Sequence, residues 1–396
     1  MTIIHITPSY KPAYTYGGPI HSIAKLCEVL VKSQENKTEC DYKIRVFTTT
    51  ANGKTELNIK PGEPQIIEGV QVIYYKRLTK DHSHFSPALL LNLRKEIIKN
   101  GSENSIIHIH AWWNLTSIFS CFIAKWHNVP IVVSPRGMLT SYTFNNRNSC
   151  SKRVVHAFFG KRLLKYCHIH TTSNQEKEDV LKIVKPKSIS VISNLVNLKD
   201  YNIEESNSSS IFKVIFLSRI EEKKGLELLF EALASLNFSW SLTIAGSGEE
   251  EYLQRLLEKA EKLNITENIT WTGQVSNSEK FDLLAAHDVC ALTSYNENFA
   301  NVVVESLSVG TSVLISDKVG LSDYVKIKGL GWVTPLNVKE IKHNLSCIFQ
   351  DKPKLELIRK CAPKIILEDF DDSALASKYV AIYRHIIKSS SRETIE

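Results

Sequence analysis

Short apolar runs recur along the chain, each followed by a stretch in which apolar residues return at helical spacing. A continuous apolar run bounded by turn residues reads as a strand buried on both faces, and the helical period reads as the helix that covers it. In the first half the runs predict strands at 3–7, 43–49, 70–77, 105–110, 131–134 and 188–192, with helices at 20–32, 86–99 and 174–183. The second half repeats the theme, with strands at 212–217, 242–248, 268–273, 288–293, 312–316 and 331–334. Helices are expected there at 249–263, 277–286 and 300–310, after Gly320, and finally at 371–388. Segment 52–64 is polar and rich in turn residues, and 202–210 (N-I-E-E-S-N-S-S-S) is the most linker-like stretch. Such alternation predicts the α/β class: two doubly wound, Rossmann-like domains, 1–196 and 197–374, facing a cleft.

Length agrees with two domains, since 396 residues exceed one comfortable core. No window approaches about 20 uninterrupted apolar residues, so no membrane-spanning helix is expected. The N-terminus lacks a basic, then long apolar, signal pattern. Eight cysteines without a C-x-x-C pair suit reduced thiols. Together these readings predict a cytoplasmic protein, free or peripheral on the inner face of the membrane. Charge is uneven: residues 1–200 hold 27 Lys and Arg against 14 Asp and Glu, the remainder 22 against 28. The first half should therefore face something anionic. Nucleic acid is disfavoured, because no basic helix with base-stacking aromatics appears. A diphosphate-linked acceptor or an anionic membrane surface fits better.

The chemistry concentrates at 294–310, S-Y-N-E-N-F-A-N-V-V-V-E-S-L-S-V-G. A strand leading through a loop into a helix presents backbone N–H groups at the carboxyl edge of a sheet, where anions bind. Phosphate would sit on the amides of Phe299, Ala300 and Asn301, with Glu297 and Glu305 beside it. Carboxylates do not bind phosphate, so they would face hydroxyl groups, which describes a nucleotide sugar. Ser218, Arg219, Lys224 and Gly225 leave the strand at 212–217, where Arg and Lys can straddle one diphosphate. Gly17-Gly18-Pro19 opens a helix near the first strand but is not G-x-G-x-x-G, which disfavours a dinucleotide. His108 and His110 share one face of a strand; no third ligand stands at a suggestive spacing, so metal is not expected. His168 and His170 repeat that pattern and read as structural. Arg136 in S-P-R-G-M-L suits phosphate or carboxylate. Segment 147–166 alternates basic and apolar residues, as on an anionic membrane or on a surface helix with snorkelling lysines. Asp369-Phe370-Asp371 reads as the cap of the terminal helix.

The pair Glu297 and Glu305 within E-N-F-A-N-V-V-V-E resembles the donor-site motif of the retaining glycosyltransferases of family 4, which have GT-B architecture. The S-R-I-E-E-K-K-G run at 218–225 is similar to the family's G-R-x-x-x-x-K-G, with Ser218 in place of glycine, and G-S-G from Gly246 stands for its G-x-G. S-P-R-G-M-L resembles a loop of the members that build bacterial surface polysaccharides. The resemblance implies sugar transfer from a nucleoside diphosphate to a hydroxyl of a glycan or polyprenyl-diphosphate-linked acceptor, with retention and without a metal or other cofactor. It implies catalytic roles for His110, Arg219, Lys224 and Glu297. It implies donor binding by Gly18, Ser218, Gly246, Asn298, Phe299, Ala300, Asn301 and Glu305, the last on the ribose. Trp112 and Arg136 would contact the acceptor, and the terminal helix 375–396 would cross back to the first domain. Residues 193–197, S-N-L-V-N, lack the Pro, Gly and Asp of the family's P-N-G-V-D, which removes the expected contacts there. The alternative is a catalytically inactive nucleotide-sugar or polysaccharide-binding scaffold of the same fold.

Overall fold

A computed structural model describes residues 1–34, 41–140, 143, 160–199 and 211–393. The chain forms two compact units, Met1–Leu195 with Asp372–Glu396, and Val196–Asp371.

The first unit holds strands β1 (Thr2–Ile6), β2 (Lys43–Thr49), β3 (Ala51–Asn52), β4 (Thr55–Glu56), β5 (Pro64–Ile67), β6 (Val70–Tyr75), β7 (Ser105–His110), β8 (Ile131–Ser134), β9 (His168–Thr171) and β10 (Ser188–Val191). Eight of them make one sheet, ordered β10-β9-β8-β7-β1-β2-β6-β5, and only β5 runs antiparallel to its neighbour. The helices are α1 (Gly18–Lys32), α2 (Pro87–Asn100), α3 (Leu115–Trp126), α4 (Lys161–Tyr166) and α5 (Asn174–Ile183), with α13 (Asp372–Glu393) from the far end of the chain. Side chains alternate between sheet faces. Ile4, Ile6, Ile107, Ile109, Ile131 and Val133 therefore point to one side, into an aliphatic cluster sealed by α2, α3, α4 and α5. His5, His108, His110, Ser134 and His170 point to the other side, where α13 packs.

The second unit holds β11 (Phe212–Leu217), β12 (Trp240–Ala245), β13 (Ile269–Gly273), β14 (Val289–Leu292), β15 (Ser312–Ser316) and β16 (Gly331–Thr334). They form a wholly parallel sheet in the order β13-β12-β11-β14-β15-β16. This is the doubly wound order with its switch between β11 and β14, and ligands bind outside the carboxyl ends of such strands. Helices α6 (Leu226–Ala234), α7 (Glu250–Lys262), α8 (Glu279–Ala285), α9 (Asn301–Ser308), α10 (Ser322–Lys328), α11 (Val338–Gln350) and α12 (Lys352–Asp369) cover it.

Three local expectations change. The turn-rich segment 52–64 contains part of the β3–β4 ribbon and the first residue of the edge strand β5. Helices α3 and α6, absent from the sequence reading, each fill a strand-to-strand crossover. Asp369 ends α12 instead of capping the last helix; its carboxylate holds Lys328 at 2.6 Å and the Tyr324 hydroxyl at 2.8 Å.

Candidate functional site

The donor-side residues come from four loops at the carboxyl ends of β11, β12, β14 and β15. Two of these loops pack without room for a side chain. A Cβ on Gly246, whose φ is 150°, would lie 1.9 Å from the Ser218 carbonyl oxygen. One on Gly225, at φ 67°, would lie 2.1 Å from the Thr293 carbonyl. Glycine is thus a requirement at both positions. Thr293 Oγ1 donates to the Gly225 carbonyl at 2.8 Å, and Tyr295 N donates to the Lys223 carbonyl at 2.8 Å. These bonds pin the loop after β14 to the loop after β11. Glu297 is held by its own backbone: its amide donates to Lys318 O at 3.1 Å, and its carbonyl accepts from Gly320 N at 2.8 Å.

With the backbone so fixed, the side chains converge. Lys224, nearly buried, forms an ion pair with the Glu297 carboxylate. Burial alone would raise the Glu297 pKa, but Lys224, Lys223 and Arg219 outweigh it and hold the carboxyl below its usual range. Lys223, not singled out by sequence, has its own pKa lowered by burial and by Lys224. Arg219 is half-exposed and pairs with Glu221 at 2.6 Å. Three cations and two carboxylates, Glu297 and Glu221, therefore meet at the edge of the sheet, with Lys223 Nζ 3.7 Å from Glu221.

Helix α9 begins beside them. Its N-cap residue is Ala300, at φ 69° and ψ 77°, with no side-chain cap. Left-handed backbone is rare for alanine and marks a functional bend. Within the first turn Val303 N donates to the Ala300 carbonyl at 3.0 Å, and the positive end of the helix dipole there favours an anion. Phe299 is buried against Phe370, with ring centroids 6.1 Å apart, which fixes the bend from below. Glu305 lies one turn further in, where Lys280 Nζ of α8 donates to Oε1 at 2.7 Å. Lys280 is a second residue that sequence reasoning missed. Asn298 and Asn301 flank the bend.

In the first unit the structure gathers Gly18, His110, Trp112 and Arg136 near the carboxyl ends of β1, β7 and β8. Gly18 starts α1, and nothing lies within 4 Å of where its Cβ would stand. His110 has no exposed surface, and its Nε2 lies 2.9 Å from His5 Nδ1. Arg136 Nε donates to His110 Nδ1 at 3.4 Å. Its Nη1 donates to Ser22 Oγ at 3.0 Å and Asn194 Oδ1 at 3.1 Å. Arg136 can only donate, so His110 accepts at Nδ1, carries its proton on Nε2 and passes it to His5 Nδ1. Trp112 follows β7. It belongs to the aliphatic cluster with no exposed surface, and its backbone N–H meets Met138 Sδ at 3.3 Å. The loop around Arg136 is fixed by buried Glu176, which accepts from Gly137 N at 2.7 Å and Thr172 N at 2.8 Å. His168 Nδ1 bonds Ser188 Oγ at 2.6 Å, a structural contact.

The third histidine thought to be absent is His5, brought opposite His108 by the β1–β7 register. The nitrogens of His5, His108 and His110 lie within 4.8 Å of one another, close enough to hold a metal ion. In the structure they bond to neighbouring groups instead; of the six ring nitrogens only His5 Nε2 lacks a protein partner. Of the basic segment 147–166, residues 147–159 lie outside the described residues, and α4 is its visible end.

Comparison with known proteins agrees with the two-unit division. Residues 37–200 match the model "Glycosyltransferase Family 4", and residues 201–365 match "Glycosyl transferases group 1". An uncharacterized glycosyltransferase of Methanocaldococcus jannaschii is 25% identical over 99% of this chain and 100% of its own length. The N,N'-diacetylbacillosaminyl-diphospho-undecaprenol α-1,3-N-acetylgalactosaminyltransferase of Campylobacter jejuni is 22% identical over 76% of this chain and 80% of its own. Among solved structures, a sucrose-phosphate synthase from Thermosynechococcus elongatus superposes with TM-score 0.76 at 18% identity, covering 98% and 99% of the two chains. HepE of Anabaena, in complex with UDP-glucose, gives 0.71 at 19% identity over 97% and 100%.

Proposed function

This chain is a glycosyltransferase of family-4 type on the GT-B fold, using a nucleotide-sugar donor, and from that premise we propose a metal-independent, retaining transfer to a lipid-linked or glycan hydroxyl in surface-polysaccharide synthesis. The observation that carries this reading is the meeting of Arg219, Lys223 and Lys224 with Glu297 beside the uncapped start of α9. A diphosphate leaving group gains charge as its bond to the sugar breaks. Preorganised donors aimed at that charge each contribute about 3–4 kcal/mol in comparable sites. Arg219, Lys224 and the amides of 299–301 are such donors. Glu297, kept ionised by the same cations, faces the sugar hydroxyls, and Glu305 faces the ribose. The leaving phosphate takes the acceptor proton, so no separate general base is needed. The Campylobacter relative acts on a diphospho-undecaprenol-linked acceptor, which supports the lipid-linked choice for this chain.

Calorimetric titration of UDP-, GDP- and ADP-sugars, followed by assay of released nucleoside diphosphate, tests the reading. Glu305→Ala is expected to weaken donor binding by roughly tenfold or more, the loss of a charge-assisted hydrogen bond. Lys224→Ala should instead lower kcat by a hundredfold or more with a smaller change in KM. If both variants keep wild-type binding and turnover, the site is elsewhere.

A further inference from the structure

Helix α3 wears its side chains inside out. Its buried positions are small: Thr116, Ser117, Ser120, Cys121 and Ala124. Its largest side chains face solvent: Phe119, Phe122 and Trp126 are 41%, 50% and 73% exposed. Spacings of three and four residues line them up on one stripe. Phe122 and Trp126 stand with ring centroids 6.0 Å apart, and Phe85 extends the stripe 5.8 Å from Phe119. Helix α2 packs beside α3 and adds two exposed aliphatics, Leu91 and Ile98. An exposed aromatic stripe of this kind, with exposed aliphatics on the neighbouring helix, marks an interaction surface.

Its surroundings say what kind. Arg94, Lys95 and Lys99 are exposed on α2, and Lys161, Arg162 and Lys165 are exposed on α4, which packs on the other side of α3. From Asn104 to Gln175 the sequence contains eight Lys and Arg and not one Asp or Glu. Glu96 on α2 is engaged by Arg45. A folded protein partner would need carboxylates placed opposite each cation. A bilayer needs only a plane: aromatic rings seat at the headgroup boundary, and lysines and arginines meet the phosphates around them.

We propose that the outer face of α2, α3 and α4 docks on an anionic lipid bilayer, with Phe119, Phe122 and Trp126 entering the interface and the flanking cations binding headgroup phosphates. None of these residues is among those assigned to the donor, so docking requires neither donor nor acceptor, and its failure would leave the transferase reading standing. Co-sedimentation of the full chain with phosphatidylcholine vesicles, with and without phosphatidylglycerol, tests it. Binding is expected to need phosphatidylglycerol and to fall at high salt. Phe122→Ser with Trp126→Ser should weaken it at least roughly tenfold. Lys161→Gln, Arg162→Gln and Lys165→Gln together should weaken it roughly a hundredfold. Ile327→Ser, at a site 82% exposed in the second unit, serves as the control and should change nothing. Unaltered nucleotide binding and thermal midpoints show that each variant is folded. Equal binding to neutral vesicles, or wild-type binding by the aromatic variant, overturns the proposal. So does a concentration-dependent dimer that the aromatic variant abolishes while neither protein binds vesicles, which would assign the face to a second copy of the chain.

Discussion

At the scale of single residues, the sequence revealed those whose role depends on near neighbours. Arg219, Lys224, Glu297 and Glu305 stand in recognisable spacings, and the structure brings the first three together. Their distant partners could not be read. Lys280 meets Glu305 across 25 residues and His5 meets His110 across 105, and no periodicity encodes which helix or strand will lie alongside. The burial of Trp112 could not be read for a related reason: a tryptophan after a strand suits a rim or a core equally until the packing is known. The Lys280 pairing carries its own prediction. Both members are largely buried, so Lys280→Met leaves the Glu305 carboxylate without its cation in a place that water barely reaches. Breaking such a pair costs about 3 kcal/mol or more, whereas removing both charges costs far less. Urea denaturation should show that loss for Lys280→Met and recovery of most of it in Lys280→Met with Glu305→Gln. A neutral single variant would mean that solvent, not Lys280, satisfies Glu305.

At the scale of elements, the strands were legible because parallel strands covered on both faces are apolar throughout, a pattern that loops do not mimic. Helix α3 was not, because exposed Phe119, Phe122 and Trp126 blur the amphipathic period that identifies helices. The terminal helix was visible, yet its task was not. Tyr379 and Tyr383 of α13 cap a buried polar line whose protons can be placed by elimination. His170 Nε2 lies 2.9 Å from the Ile192 carbonyl and must donate to it, so Nδ1 accepts from Ser134 Oγ at 2.7 Å. Ser134 Oγ then accepts from His108 Nε2 at 2.7 Å, and His108 Nδ1 accepts from the Tyr383 hydroxyl at 2.7 Å. Tyr383→Phe removes the last donor and leaves His108 Nδ1 buried without one, at a cost of about 1–3 kcal/mol. Chemical denaturation should register that loss. Nitrogen NMR of labelled histidine should place the His108 proton on Nε2 in the wild type, and a proton on Nδ1 would break the chain of reasoning.

At the scale of the whole molecule, the two units should answer acid differently. His5, His108, His110 and His170 have no more than a trace of exposed surface in the first unit. Burial, reinforced by the nearby Arg136 charge, lowers the pKa of His5 and of His170 to about 3 and carries His108 and His110 well below 6.5. In the unfolded chain all four titrate near 6.5. A folded pKa below the unfolded one gives stability that is present above the unfolded value and lost as pH falls toward the folded value. Each such group contributes about 1.4 kcal/mol per pH unit in that window, so four together approach roughly 5 kcal/mol per unit below pH 6. The second unit has a milder dependence there: His287 is also lowered by burial, but it is a single group. The depressed carboxyl of Glu297 withdraws its contribution only as pH falls below about 4.5. Calorimetric scans at successively lower pH should therefore separate two transitions below pH 6, the earlier one belonging to the unit that carries the imidazoles. Following Trp271 and Trp332, in the second unit, by fluorescence after replacing the other tryptophans with phenylalanine would identify the later one. Transitions that move together down to pH 4.5 would mean that the imidazoles take up protons while folded, and the tautomers assigned above would fall with them.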